Sequence, residues 1–253
     1  MAKLNLLADL NPEQTAAVTH GEGPLMIVAG AGTGKTTVIT RRIAWLIEQG
    51  KARPEEILAL TFTEKAATEM EERVDRLLPM GYLDLSISTF HAFCEKVLRA
   101  HGIHIGLPQD FKIATDVDSW LLMRRNLDKF ELDYFRPRGN PSKFLRQMLH
   151  HFSRAKDEGV TPEQYNLWVE DFVAQKGGGA PEAFAALMDE DKLDIQKWQE
   201  LGRAYTTYEQ LLVDKAMLDF GSLMAYVLRL FTERPNILKE YRERFKYLVV
   251  DEF

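Results

Sequence analysis

Three short apolar runs punctuate the first third of the chain: LMIVA (25–29), ILALT (57–61) and LSIST (85–89). Each is followed by a stretch whose apolar positions recur at helical spacing. Runs of this length alternating with helices predict βαβ units, a parallel sheet and right-handed crossovers. From about Gln109 the pattern changes. Up to about residue 218 it predicts helices and no strand, split by the breakers RPRGNPS, DEGVTPE and QKGGGAPE. A helix start is well marked at Thr161, where an N-cap precedes Pro162 at the first helical position and Gln164 at the third. Near the end KYLVVDEF returns to strand character. The expected fold is α/β, with a helical insertion over 109–218 in a sheet domain formed by 1–108 and 219–253, and no internal repeat.

Composition narrows the class. The 253 residues are 45% apolar and 28% charged, enough to bury a core and too hydrophobic for disorder, and 16 Gly and 10 Pro are no collagen-like excess. The single cysteine, Cys94, leaves no intramolecular disulfide and points to a reducing compartment. No apolar run approaches membrane-spanning length, and MAKLNLLADLNPEQ meets a charge and a proline too early for a signal peptide, so a soluble cytoplasmic protein is expected. The net charge of −6 argues against coating nucleic acid by bulk electrostatics but allows a strand in a local groove. Arg136, Arg138, Lys143, Arg146, Arg154 and Lys156 crowd one stretch with two histidines and no carboxylate. That stretch reads equally as a solvated helix face or a polyanion contact.

The strongest chemical signal is Ala29-Gly30-Ala31-Gly32-Thr33-Gly34-Lys35-Thr36, between the run 25–29 and a helical pattern. Glycines in that context let backbone N–H groups converge on a polyphosphate, and the helix N-terminus adds a favourable field. Lys35 is the candidate charge for the β/γ-phosphates and Thr36 a candidate Mg²⁺ ligand. A dinucleotide fingerprint fails, because it needs glycine where Lys35 stands. At the other end, Leu248-Val249-Val250-Asp251-Glu252 is an apolar strand running into carboxylates. Asp251 is placed to hold Mg²⁺, and Glu252 to orient and deprotonate the attacking water. Because these carboxylates stand at the last residues of the sequence, the chain is expected to be part of something larger.

Two strand ends match each other: Thr61-Phe62-Thr63-Glu64-Lys65 and Thr89-Phe90-His91. Ligands bind beyond the C-terminal edges of open parallel sheets. A hydroxyl and an aromatic there suit single-stranded nucleic acid; each ring taken alone reads rather as core, and the duplication at equivalent places makes the two readings equal. Asn11-Pro12-Glu13-Gln14 reads first as a capped helix start, and its Gln14 amide also offers a donor and an acceptor to an adenine edge.

Taken together these residues resemble the N-terminal part of UvrD/Rep-type superfamily one helicases, over essentially the whole chain. LNPEQ (10–14) resembles the family's Q motif, AGAGTGKT its motif I, TFTEKAATEM (61–70) motif Ia, STFHAFC (88–94) the next DNA-contacting motif, and VVDEF the start of motif II. The resemblance implies a RecA-like first domain carrying an inserted helical subdomain, with ATP and Mg²⁺ as cofactors. It implies adenine reading by Gln14 and DNA contacts at Thr61, Phe62, Thr63, Thr89, Phe90 and His91. It further implies 3′-to-5′ movement on single-stranded DNA, action at single-strand/duplex junctions, roles in DNA repair or recombination, and a second RecA-like domain from sequence not present here. Thr37 takes a position near the nucleotide often held by arginine. Gly221 follows Leu218-Asp219-Phe220 where an aspartate is frequent. TFTEKAA leans towards the AddA/RecB type of recombination nuclease-helicase. A nucleotide-dependent DNA-binding module without unwinding activity is the reading outside the enzyme class.

Overall fold

A computed structural model describes residues 5–30, 32–78, 85–176, 184–185 and 187–251. The chain divides into two compact units, Met1–Lys96 with Phe231–Phe253, and Val97–Leu230. No helix among the described residues is long and apolar enough to cross a membrane.

The first unit is mixed α/β. Its helices are α1 (Pro12–Val18), α2 (Lys35–Glu48), α3 (Glu64–Leu77), the first part of α4 (Phe90–His101) and α10 (Pro235–Arg244). Its strands are β1 (Ile57–Thr61), β2 (Ser86–Thr89) and β5 (Tyr247–Val250), in a parallel sheet of order β2-β1-β5. Every residue of β1 is buried, as its unbroken apolar run demands of a central parallel strand. In register, Thr61 lies opposite Thr89, and Leu60 opposite Val250. The ladder runs one step further, the Asp251 N–H donating to the Leu60 carbonyl at 2.9 Å. Below the sheet, Ile43, Leu46 and Ile47 of α2 pack with Ile57 and Ala59 of β1 and with Met70 and Val74 of α3.

One expected strand is absent. No strand forms over 25–29, and Val28 is 90% exposed. An apolar run favours burial, but a strand also needs a neighbour's N–H and C=O groups in register. This run is held by its ends instead: Gly23 turns the chain ahead of it at φ +101°, and the Ala29 and Gly30 carbonyls behind it receive the Lys35 ammonium.

The second unit holds α5 (Asp116–Arg125), α6 (Leu145–Asp157), α7 (Pro162–Gln175), α8 (Asp189–Asp214) and most of α9 (Phe220–Glu233). The Thr161–Gln164 capping box forms as its sequence requires. Among the breakers, QKGGGAPE falls almost wholly outside the described residues. The expectation of no strand in this region needs correction, since β3 (Lys112–Ile113) and β4 (Met217–Leu218) form a short parallel ladder. Two residues a side are too few for a period-two signal. Phe152 stacks on Tyr205 and Tyr208 in the core of this unit. Gly202 lets α7 approach α8, because a Cβ there would collide with the Asn166 side chain. Glu200, 1% exposed, accepts the backbone N–H groups of Asp133, Tyr134 and Phe135, which satisfies its buried charge and folds that loop over it.

The carboxylate of Glu56 joins the two outer ends of the β1–β5 pair. It accepts the Arg53 N–H at 2.9 Å and bonds the side chains of Lys246 and Arg53 at 2.7 and 3.0 Å. These bonds, the backbone one foremost, hold its pKa down at about 2 against an ordinary 4.5. A lowered carboxylate contributes stability that is complete above its unfolded pKa and is lost as pH falls through its folded one. Wild type should therefore lose more thermal stability than Glu56→Gln between about pH 4.5 and 2, as thermal melts across that window would measure.

Candidate functional site

The phosphate-loop geometry is built from glycine. Gly32 and Gly34 sit at φ +76° and +89°, a region L side chains rarely adopt, and Gly34 opens α2 with no side-chain cap on its first N–H groups. The N-terminus of α2 is thus left for an anion. Lys35, the first residue of α2, folds back so that its ammonium donates to the Ala29 and Gly30 carbonyls at 3.1 and 3.0 Å. Thr33 Oγ1 donates to the same Gly30 oxygen at 2.7 Å. Thr36 and Thr37 follow in the first turn of α2, and their carbonyls receive the buried Thr40 hydroxyl. Ala31 lies outside the described residues.

Gln14 reaches the loop from α1. The capping box forms as expected, with Asn11 Oδ1 accepting the Gln14 N–H and Gln14 Oε1 accepting the Asn11 N–H. The other end of the same amide donates from Nε2 to the Thr33 carbonyl at 3.0 Å. Neither Arg41 nor Arg42 was singled out in the sequence, yet both hold this corner. Arg41 donates to the Leu6 and Ala8 carbonyls, and Arg42 to carbonyls at and beyond the end of α1, including His20 at 2.9 Å. Arginines on a helix carry no sequence sign that they will be spent on a neighbouring segment's carbonyls.

Asp251 follows β5 and is 8% exposed. It lines, together with Lys35, a cavity of about 810 Å³ walled by Leu25, Val38, Ile39 and Val249. The two motifs at opposite ends of the sequence therefore face one space. A buried carboxylate and the Thr36 hydroxyl are oxygen donors of the kind Mg²⁺ takes alongside phosphate and water. Among the described residues no group of three or more His, Cys, Asp or Glu could hold a metal by itself. Glu252 lies outside the described residues.

The second locus is the C-terminal edge of β1 and β2. Thr61 is fully buried and its hydroxyl donates to the Thr63 carbonyl at 3.1 Å. Thr63 caps α3 by accepting the Ala66 N–H. Thr89 is buried too, accepting the Ala92 N–H and donating to Glu64 Oε1 at 2.8 Å. Those hydroxyls serve the edge itself. Phe62, in contrast, is 69% exposed, which removes the core reading for that ring, while Phe90 and His91 are half-buried at the start of α4. The Glu64–Thr89 bridge was invisible in the sequence because it joins the start of α3 to the end of β2. Nearby on α4, Cys94 is buried and its thiol is pushed up to about 11, so it is no nucleophile.

The basic stretch 136–156 is thinner than its sequence suggests. Lys156 is buried and paired with Glu209 and Asp219, and Arg136 pairs with Asp128. Burial alone would raise Asp219, but Lys156 outweighs it and holds that carboxyl low. The stem of Lys156 also fills the space a side chain at Gly221 would need. Arg138, Lys143, Arg146 and Arg154 are the exposed cations that remain.

The family model of the UvrD/REP helicase N-terminal domain matches residues 10–253. The chain is similar to a DNA helicase II of Rickettsia typhi, at 35% identity over all of this chain and 34% of the relative. It is 36% identical to an ATP-dependent DNA helicase PcrA of Bacillus subtilis, and 34% to a DNA helicase II of Escherichia coli, each over 98% of this chain and 30% of the relative. The chain spans about a third of the length of these curated relatives.

Lys35→Ala should remove most of the chain's affinity for a nucleoside triphosphate, since a charge-assisted contact is worth about 1.5–3 kcal/mol. Calorimetry on wild type and variant checks this, and equal affinities would separate the loop from polyphosphate binding.

Proposed function

The chain belongs to the UvrD/REP helicase N-terminal domain family, and from that premise we propose that it is the ATP-binding portion of an ATP-dependent 3′-to-5′ DNA helicase moving on single-stranded DNA. The joint lining of one cavity by Lys35 and Asp251 carries the reading. The first unit is taken as the first RecA-like domain and the second as the helical subdomain inserted into it. The sequence-based insertion, 109–218, lies inside the observed second unit, whose limits fall within α4 and α9. A second RecA-like domain completes the ATP site with arginines, which in related chemistry are worth about 10³–10⁵ in rate. The greater length of the relatives supports this.

In this reading ATP places its phosphates against the Gly32–Thr36 backbone, Lys35 leaves the loop carbonyls for the β/γ-phosphates, and Gln14 faces adenine. Thr36 and Asp251 would hold Mg²⁺, which neutralises phosphate charge when bound. Glu252 orients and deprotonates the attacking water. Separate roles predict separate defects. Glu252→Gln should slow DNA-stimulated ATP hydrolysis by about 10²–10⁴ while nucleotide binding persists. Asp251→Asn should weaken Mg²⁺-dependent binding as well. Steady-state turnover paired with nucleotide titrations reads both, and identical defects with unchanged affinity would merge the two roles.

Single-stranded DNA is placed along the edge of the first unit at Phe62, Thr63, Phe90 and His91. On the second unit, the exposed cations Arg138, Lys143, Arg146 and Arg154 are taken by themselves as contacts for DNA backbone, of the kind a single-strand/duplex junction offers. A cytoplasmic location fits this substrate. The aromatic edge and the cations should answer differently to salt. Phe62→Ala should cost about 1–3 kcal/mol of binding if a base stacks there, with the salt slope unchanged. Joint removal of Arg146 and Arg154 should flatten the slope, by about 0.7–0.9 for each phosphate they neutralise. Fluorescence anisotropy of a labelled oligonucleotide at several salt concentrations distinguishes them. Wild-type binding by Phe62→Ala would move the DNA path elsewhere.

A further inference from the structure

The amide of Gln14 is committed at both ends, and one of those commitments leads to Lys35. Its Oε1 accepts the Asn11 N–H at 3.1 Å and its Nε2 donates to the Thr33 carbonyl at 3.0 Å. Thr33 in turn donates from Oγ1 to the Gly30 carbonyl at 2.7 Å, and that same oxygen receives the Lys35 ammonium at 3.0 Å. Lys35 also donates to the Ala29 carbonyl. An unbroken relay therefore runs Gln14–Thr33–Gly30–Lys35. It holds the lysine on the loop's own carbonyls, away from any phosphate. The packing is close at the outer end, where a Cβ on Gly34 would stand 3.1 Å from Gln14 Nε2.

We propose that Gln14 is a specificity-determining gate as well as a base reader: it keeps the phosphate loop closed on Lys35 until an adenine takes its amide. The inference rests on the ATP-binding reading and deepens it. An adenine edge presents N6–H as donor and N7 as acceptor, the complement of an amide oxygen and nitrogen. Adenine therefore repays the hydrogen bond that Nε2 gives up when it leaves Thr33, and the loop opens with no net loss. Inorganic tripolyphosphate offers nothing to the amide. Guanine presents O6 and N7, two acceptors, and satisfies only the N–H side. Tripolyphosphate must open the loop against the Gln14–Thr33 bond, whereas guanine replaces that bond and offers no donor to Oε1. Discrimination then has two parts, a full pair of hydrogen bonds made only to adenine and a closed loop that a polyphosphate without a base has to break.

The two parts have opposite signs for a polyphosphate without a base. Gln14→Ala should weaken ATP binding yet tighten binding of Mg²⁺-tripolyphosphate by about three- to ten-fold, the worth of one neutral hydrogen bond. Thr33→Val cuts the relay at its second link and leaves the Gln14 amide in place. It should tighten tripolyphosphate as Gln14→Ala does, and it serves where Gln14→Ala disturbs α1. Calorimetric titration of the chain with Mg²⁺-ATP and with Mg²⁺-tripolyphosphate measures all four affinities beside wild type, with circular dichroism to verify folding. Unchanged or weaker tripolyphosphate binding in the folded variants overturns the gate, and Gln14 is then a base reader or a strut alone. The ATP-binding reading fails by a different result: no binding of either ligand by wild type, or binding that survives Lys35→Ala, which would overturn the gate with it.

Discussion

A strand with no polar face must be hydrogen-bonded on both edges, and β1 imposes that demand on this protein. All five of its residues are buried, so its N–H and C=O groups have no access to water and need a neighbour on each side. One neighbour, β2, comes from the next βα unit. The other, β5, comes from the far end of the sequence. Whatever the chain does between α4 and α10, it must return for the sheet to close around β1. The parallel register then sets the site, because Thr61, Thr89 and Asp251 all stand at the C-terminal end of the same ladder. A carboxylate distant in sequence is thereby carried to the phosphate loop's cavity.

Charge is handled by two different rules in the two units. In the second, charges that are buried are paired in place: Glu200 by three backbone N–H groups, Lys156 by Glu209 and Asp219. Removing one member of such a group leaves the others unsolvated, so these clusters hold one arrangement of α6, α8 and α9. In the first unit the central charge is provisional. Lys35 rests on carbonyls, neutral acceptors that a phosphate outcompetes, and a lysine bound to a carboxylate instead would be slow to leave.

The edge of β1 and β2 has the same economy. The hydroxyls that the motif pattern offered to DNA are engaged in holding the edge together, Thr61 through Thr63 and Thr89 through Glu64. What the edge presents outward is an exposed ring at Phe62 and the start of α4. A buried, bonded framework carrying an exposed aromatic gives a stacking surface without requiring each residue of the motif to touch a ligand.

Local features were legible in the sequence because local rules govern them. The capping boxes at Asn11 and Thr161 and the full extent of β1 each follow from residues within one turn or one run. The glycines of the phosphate loop were readable for the same reason, since φ near +80° at Gly32 and Gly34 excludes most side chains whatever surrounds them. Tertiary structure decided the rest. The run 25–29 has the hydrophobicity of a strand and forms none, because ladder formation depends on a partner's backbone and not on the run itself. Lys156 was counted with the solvated cations, and only the fold put Glu209 and Asp219 around it. Gln14 was legible as a cap and, by resemblance, as a reader of adenine. Its bond to Thr33 was not, because a side chain's second partner is set by which segments pack together, and no spacing within the sequence encodes that pairing.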